Sequence, residues 1–367
     1  MPKMTAQEYQ QSKEFREIRK AWGEKLLILG HYYVPDETIA WTDRQGDSLA
    51  LARFASANEK CRAIVFCGVY FMAETADILA NSPEKIAARG GARIPVVMLD
   101  TDAGCPMADM AAPAQVEASW DYLGQLFDVD AEVMPITYVN SSAAIKAFCG
   151  KHDGAVCTSS NAKAVLKWAL EQKKRVLFLP DQHLGRNTAL ALGVPEQEIV
   201  QWSRSYFESV DAETLKQARV ILWDGFCLVH HGMTLEMTKQ TMAEHPGAKL
   251  WVHPECPHEV VELSSVAGST SLLIQSMALT SSLDHVILGT ESHLVNRLRE
   301  ENQSLGRAEV INLGREHICQ NMAKNLRSKL FQVVAELNAG TPRNVVSVPE
   351  EIAADARKAL RNMLRFG

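Results

Sequence analysis

A hydroxyl residue opens a helical stretch at Ser48 (GDSLALARFA), Ser159 (TSSNAKAVLKWAL) and Thr270 (GSTSLLIQSMA), a step of 111 residues taken twice. A strand-like apolar run precedes each, two more follow, and a cysteine closes each third: Cys105 (LDTDAGCP), Cys227 (LWDGFCLV) and Cys319 (LGREHICQ). Internal repetition on this scale marks a structural unit copied along the chain. The predicted fold is therefore α/β, with three similar lobes, each a small parallel sheet covered by helices, set around a pseudo-threefold axis. If each lobe supplies one thiolate to that axis, the result is a three-cysteine metal site with a coordination position left open.

The chain has 367 residues, 47% apolar and 22% charged, enough for two or three domains with real cores. A net charge of −6 argues against a broad nucleic-acid surface, so no nucleic-acid partner is expected. The polar N-terminus (MPKMTAQEYQQSKEFREIRKAWGEK) reads as a helix without the apolar core of a signal peptide, and no apolar run is long enough to span a membrane. The expected compartment is the cytoplasm, where the eight cysteines stay reduced unless they bind metal.

Short apolar runs alternate with amphipathic stretches throughout: KLLILGHYYV, CRAIVFCG and IPVVMLD in the first third, EVMPITYV, RVLFLP and ARVILWD in the second, KLWVHP, HVILGT and AEVINL in the last. The lobe boundaries expected from this order are 1–127, 128–246 and 247–339. Residues 192–216 stand outside the repeat as a surface insertion in the second lobe. Residues 340–367 form a tail whose helix is expected to pack on the first.

In open parallel sheets, ligands bind beyond the carboxyl ends of the strands. The candidates at the first strand of each lobe are His31 and Tyr33, Tyr138 and Asn140, and His253 and Glu255. Later strands lead to Phe71, His183 and His293. A lone histidine is usually structural, but polar groups recurring at matching positions of a repeat are harder to dismiss. Ser48, Ser159 and Thr270 read first as N-caps, and three capped helix starts facing one axis also suit a phosphate or dicarboxylate. Cys61, Cys67, Cys149 and Cys157 lie in or beside apolar runs and fit buried small hydrophobes. Cys256 lies in a candidate site loop but off the repeat position. Thiolates serve both zinc and iron–sulfur clusters, and three of them around an open position favour a [4Fe–4S] cluster with one iron free to act as a Lewis acid. Zinc tying the lobes together, and a hydro-lyase of the aconitase kind, are the competing readings.

The segments GHYYVPDE, GDSLALAR, GVYFMAETA, DAGCPM, YVNSSAAIKA, TSSNA, PDQHLGRN, HPECP and VGSTSLLI, in this order, resemble the quinolinate synthase family over almost the whole chain. The resemblance implies an iron–sulfur enzyme of NAD biosynthesis that condenses iminoaspartate with dihydroxyacetone phosphate to quinolinate, releasing phosphate and water. It also implies a functional link to the enzyme that supplies iminoaspartate. By motif, Cys105, Cys227 and Cys319 would hold the cluster. His31, Ser48, Tyr138, Asn140, Ser159 and Thr270 would bind substrate, and Tyr33, His183, His253 and Glu255 would carry the proton transfers. Cys319 stands alone in HICQNM where some family members have a C-x-x-C-type motif, so its assignment rests on its position after AEVINL.

Overall fold

Apolar runs that are buried on both faces become inner strands of parallel sheets, and this chain builds three such sheets. The computed structural model describes residue 4, residues 6–202 and residues 210–366. The first sheet contains β1 (Leu26–His31), β2 (Arg44–Gly46), β3 (Ala63–Cys67) and β4 (Val96–Met98). The second contains β5 (Val133–Tyr138), β6 (Ala155–Cys157), β7 (Arg175–Leu179), β8 (Ile199–Trp202) and β9 (Val220–Trp223). The third contains β10 (Lys249–Val252), β11 (Val266–Ala267), β12 (His285–Gly289) and β13 (Glu309–Asn312). Every residue of β1 and β5 is buried, as a central strand covered on both sides requires.

The parallel strands of the three sheets run β4-β3-β1-β2, β6-β5-β7-β9-β8 and β11-β10-β12-β13. With β8 set aside, each sheet runs second-first-third-fourth, and all these pairings are parallel. This order has a consequence for the site. The carboxyl end of each first strand lies beside the carboxyl end of the second: His31 pairs with Gly46, Tyr138 with Cys157, and Val252 with Ala267. The residues after those ends are the polar candidates on one side and the hydroxyl turns on the other.

The chain divides into two compact units, Met1–Cys105 with Ile318–Pro349, and Pro106–His317 with Glu350–Gly367. The expected lobe boundaries are crossed in three places. Helix Pro113–Gly124 belongs to the second unit, where Trp120 meets Phe148 edge-on at 5.4 Å. Helix Arg327–Asn338 belongs to the first, where Phe331 packs 5.0 Å from Phe15. The tail is the third place, and there the expectation of one piece packed on the first lobe is corrected. Its start forms β14 (Val345–Val346), antiparallel to β4. Its helix Glu350–Arg365 packs instead on helix Ala143–Lys151 and β6, with Asn161 Nδ2 donating to the Met363 carbonyl at 2.9 Å. An amphipathic helix follows the largest apolar surface within reach, and its place in the chain does not decide which that is.

The insertion is also more than a surface excursion. Its described part adds β8 as an edge strand beside β9 and the helix Ala212–Gln217, while residues 203–209 lie outside the described residues. Among the described residues, no helix is long and apolar enough to cross a membrane.

One close approach sets the tail helix in place. A Cβ added at Gly150 would stand 1.9 Å from the Asp355 carbonyl oxygen, a backbone atom that cannot swing aside. Gly150→Ala should therefore separate the two helices and cost at least the ~1–3 kcal/mol of an overpacked core. A denaturant melt checks this; an unchanged midpoint would contradict the contact.

Candidate functional site

In the first unit the site candidates gather at the carboxyl end of β1. The backbone N–H of Tyr33 donates to His31 Nδ1 at 3.2 Å, and the two rings meet at 4.8 Å, 74° apart. An Nδ1 that accepts leaves the proton of a neutral imidazole on Nε2. Ser48 lies two residues past Gly46, the end of β2 that pairs with His31. The cap of its helix is Asp47, whose Oδ1 accepts from Ala50 N at 2.9 Å. Cys105 and Cys319 also belong to this unit, and both are partly exposed. Their loops are tied together and to the sheet. Lys324 Nζ donates to the Asp102 carbonyl at 2.6 Å, Tyr70 N to the Ala103 carbonyl at 2.9 Å, and Asn325 Nδ2 to the Gly68 carbonyl at 3.1 Å.

In the second unit the loop after β10 carries a buried polar cluster. Glu255 is buried, with Oε2 2.8 Å from His230 Nδ1 and 3.9 Å from His253 Nδ1, and it also hydrogen-bonds Tyr138. His230 and His253 stack at 4.5 Å, 17° apart, and His230 Nε2 lies 3.4 Å from Thr290 Oγ1. Burial alone would raise the Glu255 carboxyl. The charges of His253 and His230 and the hydrogen bonds from His230 and Tyr138 outweigh it and hold the group at about 2. Asn140, two residues past Tyr138, has a buried side-chain carbonyl that accepts no hydrogen bond from the described residues. A buried acceptor in that condition is a place for a ligand's donor.

Thr270 is buried, one residue past the true cap Ser269, whose Oγ accepts from Leu272 N at 3.3 Å. Ser159 lies in a turn before the helix Ala162–Gln172. That turn is closed by Asn161, whose Oδ1 accepts from Thr158 N at 2.7 Å and Thr158 Oγ1 at 3.1 Å. The expectation that Ser48, Ser159 and Thr270 are N-caps is thus corrected. Neighbouring residues supply the caps at Ser48 and Thr270, and Ser159 precedes its helix altogether.

His183 Nε2 lies 2.8 Å from His231 Nδ1. Burial, then His231 and Arg186, lower its pKa from 6.5 to about 4. Between those values the unfolded chain binds a proton that the folded chain refuses. Stability therefore falls as pH drops through this window and is fully present above it. Thermal melts from pH 4 to 6.5 should show His183→Gln losing less stability than wild type on acidification; parallel curves would contradict the assignment.

Two other expected contributors are occupied in the structure. Phe71 is buried in helix Tyr70–Ala80. His293 is tied to Glu291, the cap of its own helix, at 2.8 Å through both its Nδ1 and its backbone N–H.

Sequence reasoning missed three residues. His230 lies one helical turn after Cys227, a C-x-x-H spacing that could have flagged it. Asp181 caps helix Gln182–Ala191 through Oδ1 and accepts from Cys227 N through Oδ2 at 3.2 Å, so it fixes the backbone that presents the thiol. Asn187 clamps the Glu255 loop: Nδ2 donates to the carbonyls of Pro254 and Cys256, both at 2.9 Å, and Oδ1 faces His258 Nδ1 at 2.9 Å.

The thiols divide by environment. Cys105, Cys227 and Cys319 are partly exposed, and the other five are buried. Burial pushes Cys61, Cys67, Cys149, Cys157 and Cys256 up from the usual thiol range, against their becoming thiolates. Cys256 sits in the core of the third sheet, 3.6 Å from Met233 Sδ. Partial exposure leaves thiolate chemistry open to Cys105, Cys227 and Cys319.

Residues 13–365 match the family model of the quinolinate synthetase A protein. The chain is 46% identical to the quinolinate synthase of Rhodopirellula baltica over 95% of this chain and 88% of that one. It is 41% identical to the quinolinate synthase of Bacillus thuringiensis over 96% and 92%. It is 42% identical to that of Lysinibacillus sphaericus over 95% and 91%. A solved acyclic imino acid reductase in complex with NADPH and D-Arg aligns at 9% identity with a TM-score of 0.21, too low to carry an argument. Family match and relatives agree over nearly the full length, and the chain is an enzyme belonging to the quinolinate synthetase A family.

Proposed function

We propose that this enzyme is a quinolinate synthase of NAD biosynthesis, acting in the cytoplasm, that condenses iminoaspartate with dihydroxyacetone phosphate and releases phosphate and water. The observation that carries the reading is the division of the thiols: of eight cysteines, the three at matching repeat positions are the accessible ones. Cys105, Cys227 and Cys319 would hold a [4Fe–4S] cluster, and the shared strand order of the three sheets supports a pseudo-threefold relation between the lobes. When bound, the cluster supplies a Lewis acid for expelling hydroxide in the final dehydration.

The protein's own groups do the rest. Joining two small polar molecules is mostly a matter of holding them in contact. His31, Tyr138 and Asn140 would do that, and the buried Asn140 Oδ1 supports the reading as an acceptor for a substrate N–H or O–H. Ser159 and Thr270 would meet the phosphate, and Ser48 would stand beside them or hold a carboxylate. Tyr33, His183, His253 and Glu255 would move protons during isomerisation and ring closure, where positioned groups contribute about 10²–10⁴-fold.

The corrected caps sharpen a test of the hydroxyls. Asp47→Ala and Ser269→Ala should each cost about 0.5–2 kcal/mol of stability. Ser159→Ala and Thr270→Ala should instead weaken use of the phosphate-bearing substrate more than binding of quinolinate. A lowered melting temperature with unchanged kinetics in the two hydroxyl variants would reduce them to structural residues. The function itself is tested by following phosphate, released once per turnover in the presence of both substrates. A hydro-lyase acting on a hydroxy acid would release none.

A further inference from the structure

Cys227 caps the short helix Leu228–His231, so Cys227 and His230 are three residues apart on one turn and share a face. Glu255 reaches the same place from the loop after β10. A Cys227 sulfur, a His230 ring nitrogen and a Glu255 carboxylate oxygen all lie within 4.8 Å of one another. One sulfur, one nitrogen and one oxygen form the donor set of a zinc site with three protein ligands and an open position. Zinc bonds of about 2.0–2.3 Å put tetrahedral ligand atoms roughly 3.3–3.7 Å apart, so closing the trio needs shifts of about 1 Å.

The surroundings favour such closure. His230 and Glu255 are buried and Cys227 is partly exposed, which gives an ion an approach from the thiol side. Thr290 Oγ1 at His230 Nε2 and Asp181 Oδ2 at the Cys227 amide already orient two of the ligands, the role outer-shell groups play in metal sites. Sulfur and imidazole select a borderline-soft ion over magnesium or calcium.

We infer that Cys227, His230 and Glu255 bind a zinc ion when the chain carries no cluster. Zinc there takes one proposed cluster ligand and the carboxylate of the proposed substrate site together. The zinc-bound chain is thereby closed to both cluster assembly and substrate. This consequence rests on the reading of Cys227 as a cluster ligand; the zinc binding does not.

The test uses the full-length, cluster-free protein under anaerobic conditions, with zinc alone as the probe. Cys105→Ala/Cys319→Ala, which keeps the trio intact, should bind one zinc per chain in competition with a chromogenic chelator. X-ray absorption of wild type and of this variant should give one sulfur with nitrogen or oxygen donors. Adding Glu255→Gln or His230→Gln should weaken zinc at least ~10–100-fold, the loss expected even for an outer-shell partner. Zinc binding lost with Cys105 and Cys319, three sulfurs around zinc in the wild-type chain, or affinity unmoved by Glu255→Gln and His230→Gln would each overturn the inference. Iron content of the single-cysteine variants after reconstitution reports separately on the cluster reading, so the two can fail independently.

Discussion

Alanine at Cys105, Cys227 or Cys319 should abolish cluster binding, with iron and sulfide content after anaerobic reconstitution falling to background in each variant. On the proposed assignment each change removes one of three protein ligands, and the other five thiols are buried. Cys256, the nearest alternative by sequence, is in the core of the third sheet against Met233. Its thiol is held neutral by burial and by the Glu255 charge. Alanine at Cys61, Cys67, Cys149 or Cys157 should leave iron content intact and lower stability only as the loss of a small buried group does. A Cys319→Ala protein that assembled a full cluster would break the repeat argument for the third lobe.

Glu255→Gln should lower turnover by at least the ~10²-fold that a lost acid–base group costs, with the cluster spectrum and melting temperature close to wild type. The structure changes how that loss is understood. A carboxylate held at about 2 is a weak base at neutral pH, so in the proposed proton transfers Glu255 would work together with the His230 and Tyr138 groups that it meets. It accepts from His230 and Tyr138, and the His230 ring in turn stacks on His253 at 4.5 Å. Glutamine keeps the size and one acceptor but removes the charge. Quinolinate formation within a few-fold of wild type would make Glu255 a binding residue and leave the proton chemistry to Tyr33 or His253.

The central strands could be read directly because KLLILGH and EVMPITY are apolar throughout, the mark of burial on both faces. The shortest edge strands could not. β14 and β11 are two residues each, too short for any period to register. The hydroxyl turns were located correctly, but two caps were taken one residue late. Asp47 and Ser269 precede hydroxyl residues equally able to cap, and composition does not decide between neighbours. Repeat position singled out three of eight cysteines, and these are the three partly exposed ones. His230, Asp181 and Asn187 were missed because each acts through a partner distant in sequence: His230 on Glu255, Asp181 on Cys227, Asn187 on the Pro254–Cys256 backbone. The tail was misplaced for a related reason, since a chain segment does not announce which sheet it will cover.

The central claim is tested most directly by incubating the anaerobically reconstituted wild-type protein with iminoaspartate and dihydroxyacetone phosphate and measuring quinolinate by chromatography. Quinolinate should accumulate over many turnovers with one phosphate released per molecule, and the Cys105→Ala protein should form none. A fully loaded wild-type protein that forms no quinolinate, or a Cys105→Ala protein that forms it at the wild-type rate, would contradict the account.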